Sequence, residues 1–390
     1  MHVDPLLPVL ALACLAVFAA GFLLRRLGQP FVIGYLLGGI LLGPRALGVI
    51  EDGEVVGHVG AIGVVFLLFF VGMEVSPRRL LAGLGVSLGG TLVQVLLSVA
   101  AVWSVGLWFD WPVARIVLLG CVISLSSTAV VVKLLEDEGR GDSALGERVL
   151  GILLVQDVAI IPMLILIGFL GGEAPTAAVL VKQALGTVLV VGVMSVLARR
   201  DEIDLGLKRL VGRDDDLQVF VGLIICLGCA WLTALLDLSS ALGAFVAGMI
   251  VASARETHWI HEALVPFRVV LLAAFFVSVG LLVDLDFAAR HWRLILSMTA
   301  LVFVLNTLIN GVILRMLGLD RRDAAHGAAL LAPIGELSFV LASVGASAGI
   351  IGVFAYQATL AMITTTMVLG PLWTLVLTRF VGRPEPVVKP

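Results

Sequence analysis

The sequence predicts an all-α polytopic membrane protein of about thirteen transmembrane helices, built as an inverted repeat of two six-helix halves with two broken crossing helices. Three observations point there. Hydrophobic residues fill 60% of the 390 positions and charged residues only 14%, whereas a water-facing domain carries roughly 25% charge. Thirteen apolar runs approach the ~20 residues that a helix needs to span a bilayer. Lys and Arg fall alternately on two faces, heavily on one.

This composition excludes an ordinary soluble enzyme and a disordered chain. The net charge of −3 offers no basic surface for nucleic acid and implies no polyanionic partner. No nucleophile–base pair or metal-ligand constellation lies in the loops, so an enzyme reading has no support.

The runs lie at about 5–24, 31–47, 57–73, 82–108, 113–134, 147–170, 175–198, 217–236, 239–253, 265–283, 292–316, 324–347 and 354–379. The first lacks a basic n-region and an A-x-A cleavage signal, so it reads as a span. With the C-terminus placed in the cytoplasm and the N-terminus outside, the outer segments hold Arg45, Arg115, Lys182, Arg290 and Arg293. The other twenty of the 25 basic residues are inside, as the positive-inside rule demands. The implied location is a bacterial-type inner membrane.

A linker helix and a charged loop (171–216, ending RRDEIDLGLKRLVGRDDD) separate six spans from six. The halves start on opposite sides of the membrane, the plan common among secondary transporters, whose sites sit at broken helices near the midplane. The fifth span of each half carries a candidate break. SLSSTAVVV (124–132) has hydroxyls that compete for backbone hydrogen bonds. APIGELSF (332–339) sets Pro333, which lacks a donor, beside Gly335. Irregular backbone at this depth is tolerated only where protein or a cavity satisfies it.

Few ionisable groups lie inside spans, and each is a functional-site hypothesis by default. Asp157 is about ten residues into its span, beside Gln156. Short connections place that span next to the first break. Asp157, the hydroxyls of Ser126, Ser127 and Thr128, and freed carbonyls would form an oxygen site for a hard monovalent cation. Glu336, at the second break, is read chiefly as a brace for the crossing backbone. Asn306 and Asn310 are four apart and share a helix face. The four cysteines lie in apolar runs; Cys226-x-x-Cys229 has no neighbouring His or second pair and reads as helix packing.

GYLLGGILLGPRALGVI (34–50), FLLFFVGMEVSPRRL (66–80), SLSSTAVVVKLLEDEG (124–139), LLVQDVAIIPML (153–164), LSSALGAFVAGMIVA (238–252), FFVSVGLLVDL (275–285) and PIGELSFVL (333–341) resemble the membrane domain of monovalent cation:proton antiporters, in particular the Kef-type potassium/proton branch. The likeness runs from about 5 to 380. It implies a homodimer in the bilayer. Spans 1–3 and 8–10 (about 5–73 and 217–283) would form a dimerisation part. Spans 4–6 and 11–13 (about 82–170 and 292–379) would form a mobile ion-binding core moving in an elevator-like way. It implies that Asp157 is the ion-binding carboxylate, that no cofactor is needed, and that K⁺ (or Na⁺) and H⁺ are the transported ions. HWIHEALVPFR (258–268) resembles a Kef regulatory loop, with His261-Glu262 at its start.

Two departures stand out. Asn306 occupies the position where many relatives have a lysine. The chain stops at Pro390 without the cytosolic nucleotide-binding domain usual in Kef proteins, so regulation by a missing or separate domain is the expectation. The mechanism expected from these residues is competition: Asp157 holds a proton or a cation in turn, giving electroneutral K⁺/H⁺ exchange. Na⁺/H⁺ exchange at the same site and a gated K⁺ efflux pathway are the alternatives.

Overall fold

The computed structural model describes residues 6–26, 29, 31–44, 46–50, 53–74, 77–141, 143–171, 177–199, 215–236, 238, 240–253 and 258–381. Among these the regular structure is helical, and the only β feature is a single isolated bridge, Ser126 to Ile334. In chain order the helices are α1 (Leu6–Arg26), α2 (Phe31–Leu42), α3 (Gly53–Glu74), α4 (Pro77–Trp108), α5 (Val113–Ser124), α6 (Thr128–Asp137), α7 (Ala144–Gly171) and α8 (Ala177–Arg199). There follow α9 (Asp215–Leu235), α10 (Ser240–Ser253), α11 (His258–Leu282), α12 (Leu285–Arg290), α13 (Trp292–Met316), α14 (Arg321–Leu330), α15 (Leu337–Ser347) and α16 (Val353–Val381).

Over the described residues, six of them are long and apolar enough to cross a membrane, and seven further apolar helical stretches of 10–17 residues accompany them. Large apolar side chains point outward along many of these helices, among them Leu10, Phe18, Ile224 and Trp231. In water such exposure would be prohibitive; hydrocarbon is as apolar as Leu itself. Two of the expected spans are interrupted: 113–134 is realised as α5 and α6, and 324–347 as α14 and α15.

Two differences from the sequence reading concern helix extent. Residues 258–268, expected as a loop, form the first turns of α11, held by Leu264, which is buried in an apolar cluster with Phe66, Phe70 and Val251. A short helix, α12, was not foreseen. Asp284 caps it by accepting a hydrogen bond from the Phe287 amide at 2.8 Å, the ordinary role of an N-cap carboxylate.

The chain forms two compact units, 1–52 with 85–171 and 277–390, and 53–84 with 172–276. In the first, α13 and α16 flank α14, and α15 lies against α5 and α7. A buried core of Val131, Leu135, Val149, Ile152, Leu153, Ile313 and Leu330 surrounds the inner half-helices. In the second, α3, α9 and α10 pack together.

One contact recurs in both units. In the first, a Cβ on Gly39 would strike the Val277 carbonyl, and one on Gly280 would strike the Leu36 carbonyl. In the second, Gly72 stands against the Phe245 carbonyl and Gly248 against the Phe69 carbonyl. Each pair brings two helix backbones into direct contact, which only glycine permits. The partner residues of the two contacts are related by exchange of the halves, as an inverted repeat requires.

Candidate functional site

The two broken spans meet at their breaks. After α5 the chain is extended at Leu125 (φ −87°, ψ 118°), and α6 resumes at Thr128. After α14, residues 332–336 run without helical pairing before α15 begins. The two extended stretches pair antiparallel. The Ser127 amide donates to the Pro333 carbonyl at 3.0 Å, and the Gly335 amide donates to the Leu125 carbonyl at 2.8 Å. A Cβ on Gly335 would overlap the Ser126 carbonyl, so glycine is needed for this approach. Pro333 contributes its carbonyl, and its missing N–H leaves no donor to satisfy.

Seven further freed backbone groups have a side chain aimed at them, and an unpaired buried amide or carbonyl costs about 1–3 kcal/mol. The Ser126 amide donates to Gln156 Oε1 at 3.0 Å. The Ile334 amide, its bridge partner, donates to Thr366 Oγ1 at 3.3 Å. Gln94 Nε2 donates to the Ser124 carbonyl at 3.1 Å. Asn306 Nδ2 donates to the Ile123 carbonyl at 2.9 Å and to the Ala332 carbonyl at 3.0 Å, one from each broken span. Ser126 Oγ and Ser338 Oγ each reach across the crossing, to the carbonyls of Leu331 and Val122, both at 2.7 Å.

The acids gather at the opposite helix ends. Thr128 Oγ1, at the start of α6, lies 3.3 and 3.4 Å from the two carboxylate oxygens of Asp157. Its neighbour Ser127 lies with Oγ 3.3 Å from Glu336 Oε2, and Glu336 itself precedes α15. Helix N-termini carry partial positive charge and favour anions there; C-termini favour donors, and Asn306 serves two of them. Asp157 is at mid-length of the 28-residue α7, about 20 Å from either end at 1.5 Å per residue. Pro162, one turn further on, withdraws the amide that would otherwise pair with the Val158 carbonyl.

Burial divides the crossing into two sides. Ser126, Ser127, Gln94, Gln156 and Asn306 are buried, whereas Thr128, Asp157 and Glu336 are all partly exposed. The bracing groups are dry; the acids and Thr128 have access to something outside the packed protein. The donors on that side are oxygens alone, the chemistry that hard cations take.

The chain matches the sodium/hydrogen exchanger transmembrane family over residues 11–379. It belongs to that family. Among its relatives is an iron transporter, MagA, of Paramagnetospirillum magneticum, 32% identical over 96% of this chain and 86% of the relative. A glutathione-regulated potassium-efflux system protein of Haemophilus influenzae is 31% identical over 93% of this chain; the chain spans 59% of that protein's length. In fold it is similar to a sodium proton antiporter from Methanocaldococcus jannaschii, with a TM-score of 0.63, 15% identity, and coverage of 97% of this chain and all of the other. This exchanger is thus a multi-pass membrane transporter of the cation/proton antiporter class, with the all-α fold expected.

The structure brings together Asp157, Gln156, Ser126, Ser127, Thr128, Pro333, Gly335, Glu336 and Asn306. Gln156 stands among the braces: Oε1 takes the Ser126 amide, while Nε2 donates to Gln94 Oε1 at 2.8 Å and lies 3.3 Å from Ser126 Oγ. The backbones of His261 and Glu262 belong to α11; their side chains lie outside the described residues, as does the loop 200–214. Sequence reasoning missed Gln94, Ser338 and Thr366 in the exchanger's crossing. Gln94 had a signal: Thr91, Gln94 and Ser98 recur at helical spacing and are all buried on α4.

Proposed function

We propose that this exchanger swaps a monovalent cation for a proton at Asp157, with K⁺ as the cation and no net charge moved. The observation that carries the reading is the placing of one mid-membrane carboxylate, partly exposed, against a hydroxyl at the first turn of a broken helix. A carboxylate there is costly when bare. It is neutralised equally by a proton or by a monovalent cation, and the two exclude each other. One site, one charge and one exchange give electroneutrality.

Thr128 offers an oxygen to either occupant. Glu336 and Ser127 hold the neighbouring helix end, and Gln156 keeps the crossing in register. The neutral Asn306 adds no fixed cation to compensate Asp157, which favours coupling to an ion that brings its own single charge. The Kef-type relative supports K⁺. An oxygen-only donor set supports a hard cation over the metals that prefer nitrogen or sulfur ligands.

In this reading spans 4–6 and 11–13 carry the ion as a mobile core against a homodimer formed through spans 1–3 and 8–10, in an elevator-like cycle. Regulation falls to a further cytosolic domain or partner. Na⁺/H⁺ exchange is the second reading, favoured by the structural neighbour. Both are tested in proteoliposomes with an imposed pH gradient and K⁺, Na⁺ or Li⁺ outside. K⁺ is expected to give the fastest exchange, independent of imposed voltage, and Asp157→Asn to abolish it. Retained exchange in Asp157→Asn would remove Asp157 from the mechanism; preference for Na⁺ would select the second reading.

A further inference from the structure

A closed ring of side chains and backbone stands behind the acid. It runs from the Ser124 carbonyl to Gln94 Nε2 (3.1 Å), from Gln94 Oε1 to Gln156 Nε2 (2.8 Å), and from Gln156 Oε1 to the Ser126 amide (3.0 Å). Leu125, extended between Ser124 and Ser126, closes it. The carbonyl and amide engaged are the backbone groups of the residues immediately before and after Leu125. Gln94 and Gln156 are each 1% exposed, so no bulk water stands in for a lost partner.

We propose that Gln94 is a positioning residue for cation exchange: through Gln156 it holds Asp157 against Thr128. The inference rests on the antiport reading above. Gln156 and Asp157 are consecutive on α7, so the rotation of α7 that satisfies Gln156 also sets where Asp157 points. Gln94 is what fixes that rotation from α4, because its amide is the acceptor for Gln156 Nε2. The 3.3–3.4 Å approach of Thr128 to both Asp157 oxygens is the contact that depends on it. Around the ring, each amide must present one donor and one acceptor in a single sense.

That polarity supplies the test. Gln94→Met matches the length and removes both hydrogen bonds. Gln94→Glu is more discriminating. Protonated, a carboxylic acid has one donor and one acceptor and reproduces the ring; ionised, it loses the donor and turns a lone pair toward the Ser124 carbonyl. The full chain is reconstituted, and exchange is measured across K⁺ concentration and pH for wild type and both variants, with melting temperature as a check on folding.

Gln94→Met is expected to raise the half-saturating K⁺ concentration on the order of tenfold, the scale of one buried polar group left unpaired, with a much smaller change in maximal rate. Gln94→Glu is expected to match the wild type at acid pH and to fall to the Gln94→Met level as pH rises. A loss of maximal rate in both variants, with half-saturation and pH profile unchanged, would overturn the positioning role and leave antiport standing. If Gln94→Met fails to fold, the ratio of Gln94→Glu to wild type across pH decides alone: a flat ratio overturns the proposal. Absence of exchange in the wild type would instead sink the antiport reading itself.

Discussion

Asn306 shows how one amide can settle two problems. Each broken span ends a half-helix in carbonyls with no partner, and Nδ2 has two hydrogens, which go to Ile123 and Ala332. Replacing it by Leu leaves two buried carbonyls unpaired, at about 1–3 kcal/mol each. Asn306→Leu is expected to lower the melting temperature of the purified protein by several degrees; an unchanged melting curve would show that water takes over both carbonyls. Asp157, the Ser-Leu-Ser-Ser-Thr run, Pro333 and Gly335 were readable from sequence because each is out of place in an apolar run. Gln94 was legible only as one of three polar residues at helical spacing on α4; its partners, 30 and 62 residues away, leave no trace in that spacing.

Elements, unlike single residues, are held at the far ends of the half-helices as well as at the crossing. Beyond the end of α6, Arg140 pairs with Asp323 of α14 at 2.7 Å, and Glu138 meets His326 Nε2 at 2.7 Å. The arginine side chain is 9% exposed and its partner 27%, so breaking the pair falls between the surface and buried cases, about 1–2 kcal/mol. Arg140→Gln is expected to speed amide hydrogen exchange in α6 and the first turns of α14 while leaving α13 protected. Uniform exchange across all three helices would mean that the pair stabilises the whole unit rather than these ends. Helix existence was readable from apolar runs, and the two interruptions from Ser, Thr, Pro and Gly. The helical start of α11 was not, because a His-Glu pair before a proline looks like a loop until Leu264 is seen buried.

At the scale of the molecule, the distribution of basic residues predicts the sidedness of the membrane. A cysteine introduced near the C-terminus is expected to react with an impermeant thiol reagent only in inside-out vesicles, and one near Arg293 only in right-side-out vesicles. Labelling of both from the same side would reverse the reading of Lys and Arg. The free thiols Cys14 and Cys229, neither fully buried, are first replaced by Ser or Ala so that they give no background. The inverted plan was expected from the number of apolar runs to either side of the charged loop. The paired glycine contacts were not legible, since glycines are common in every membrane helix and only coordinates show which of them touch.

The bridge between Ser126 and Ile334 is the centre of a pseudo-symmetric pattern in the numbering. Ser124 and Ala332 offer carbonyls to neighbouring amides, Leu125 and Pro333 accept across the crossing, and Ser127 and Gly335 donate. Each pair is separated by 208 residues, the bridge included. A constant offset of this kind means that one backbone arrangement is written twice in the chain and meets itself at the crossing. The two copies differ in side chains where the backbone does not constrain them: one gives Thr128 where the other gives Glu336, and the position of the α7 carboxylate corresponds to that of Thr365 in α16. The backbone of the crossing is symmetric, and the side chains set on it are not.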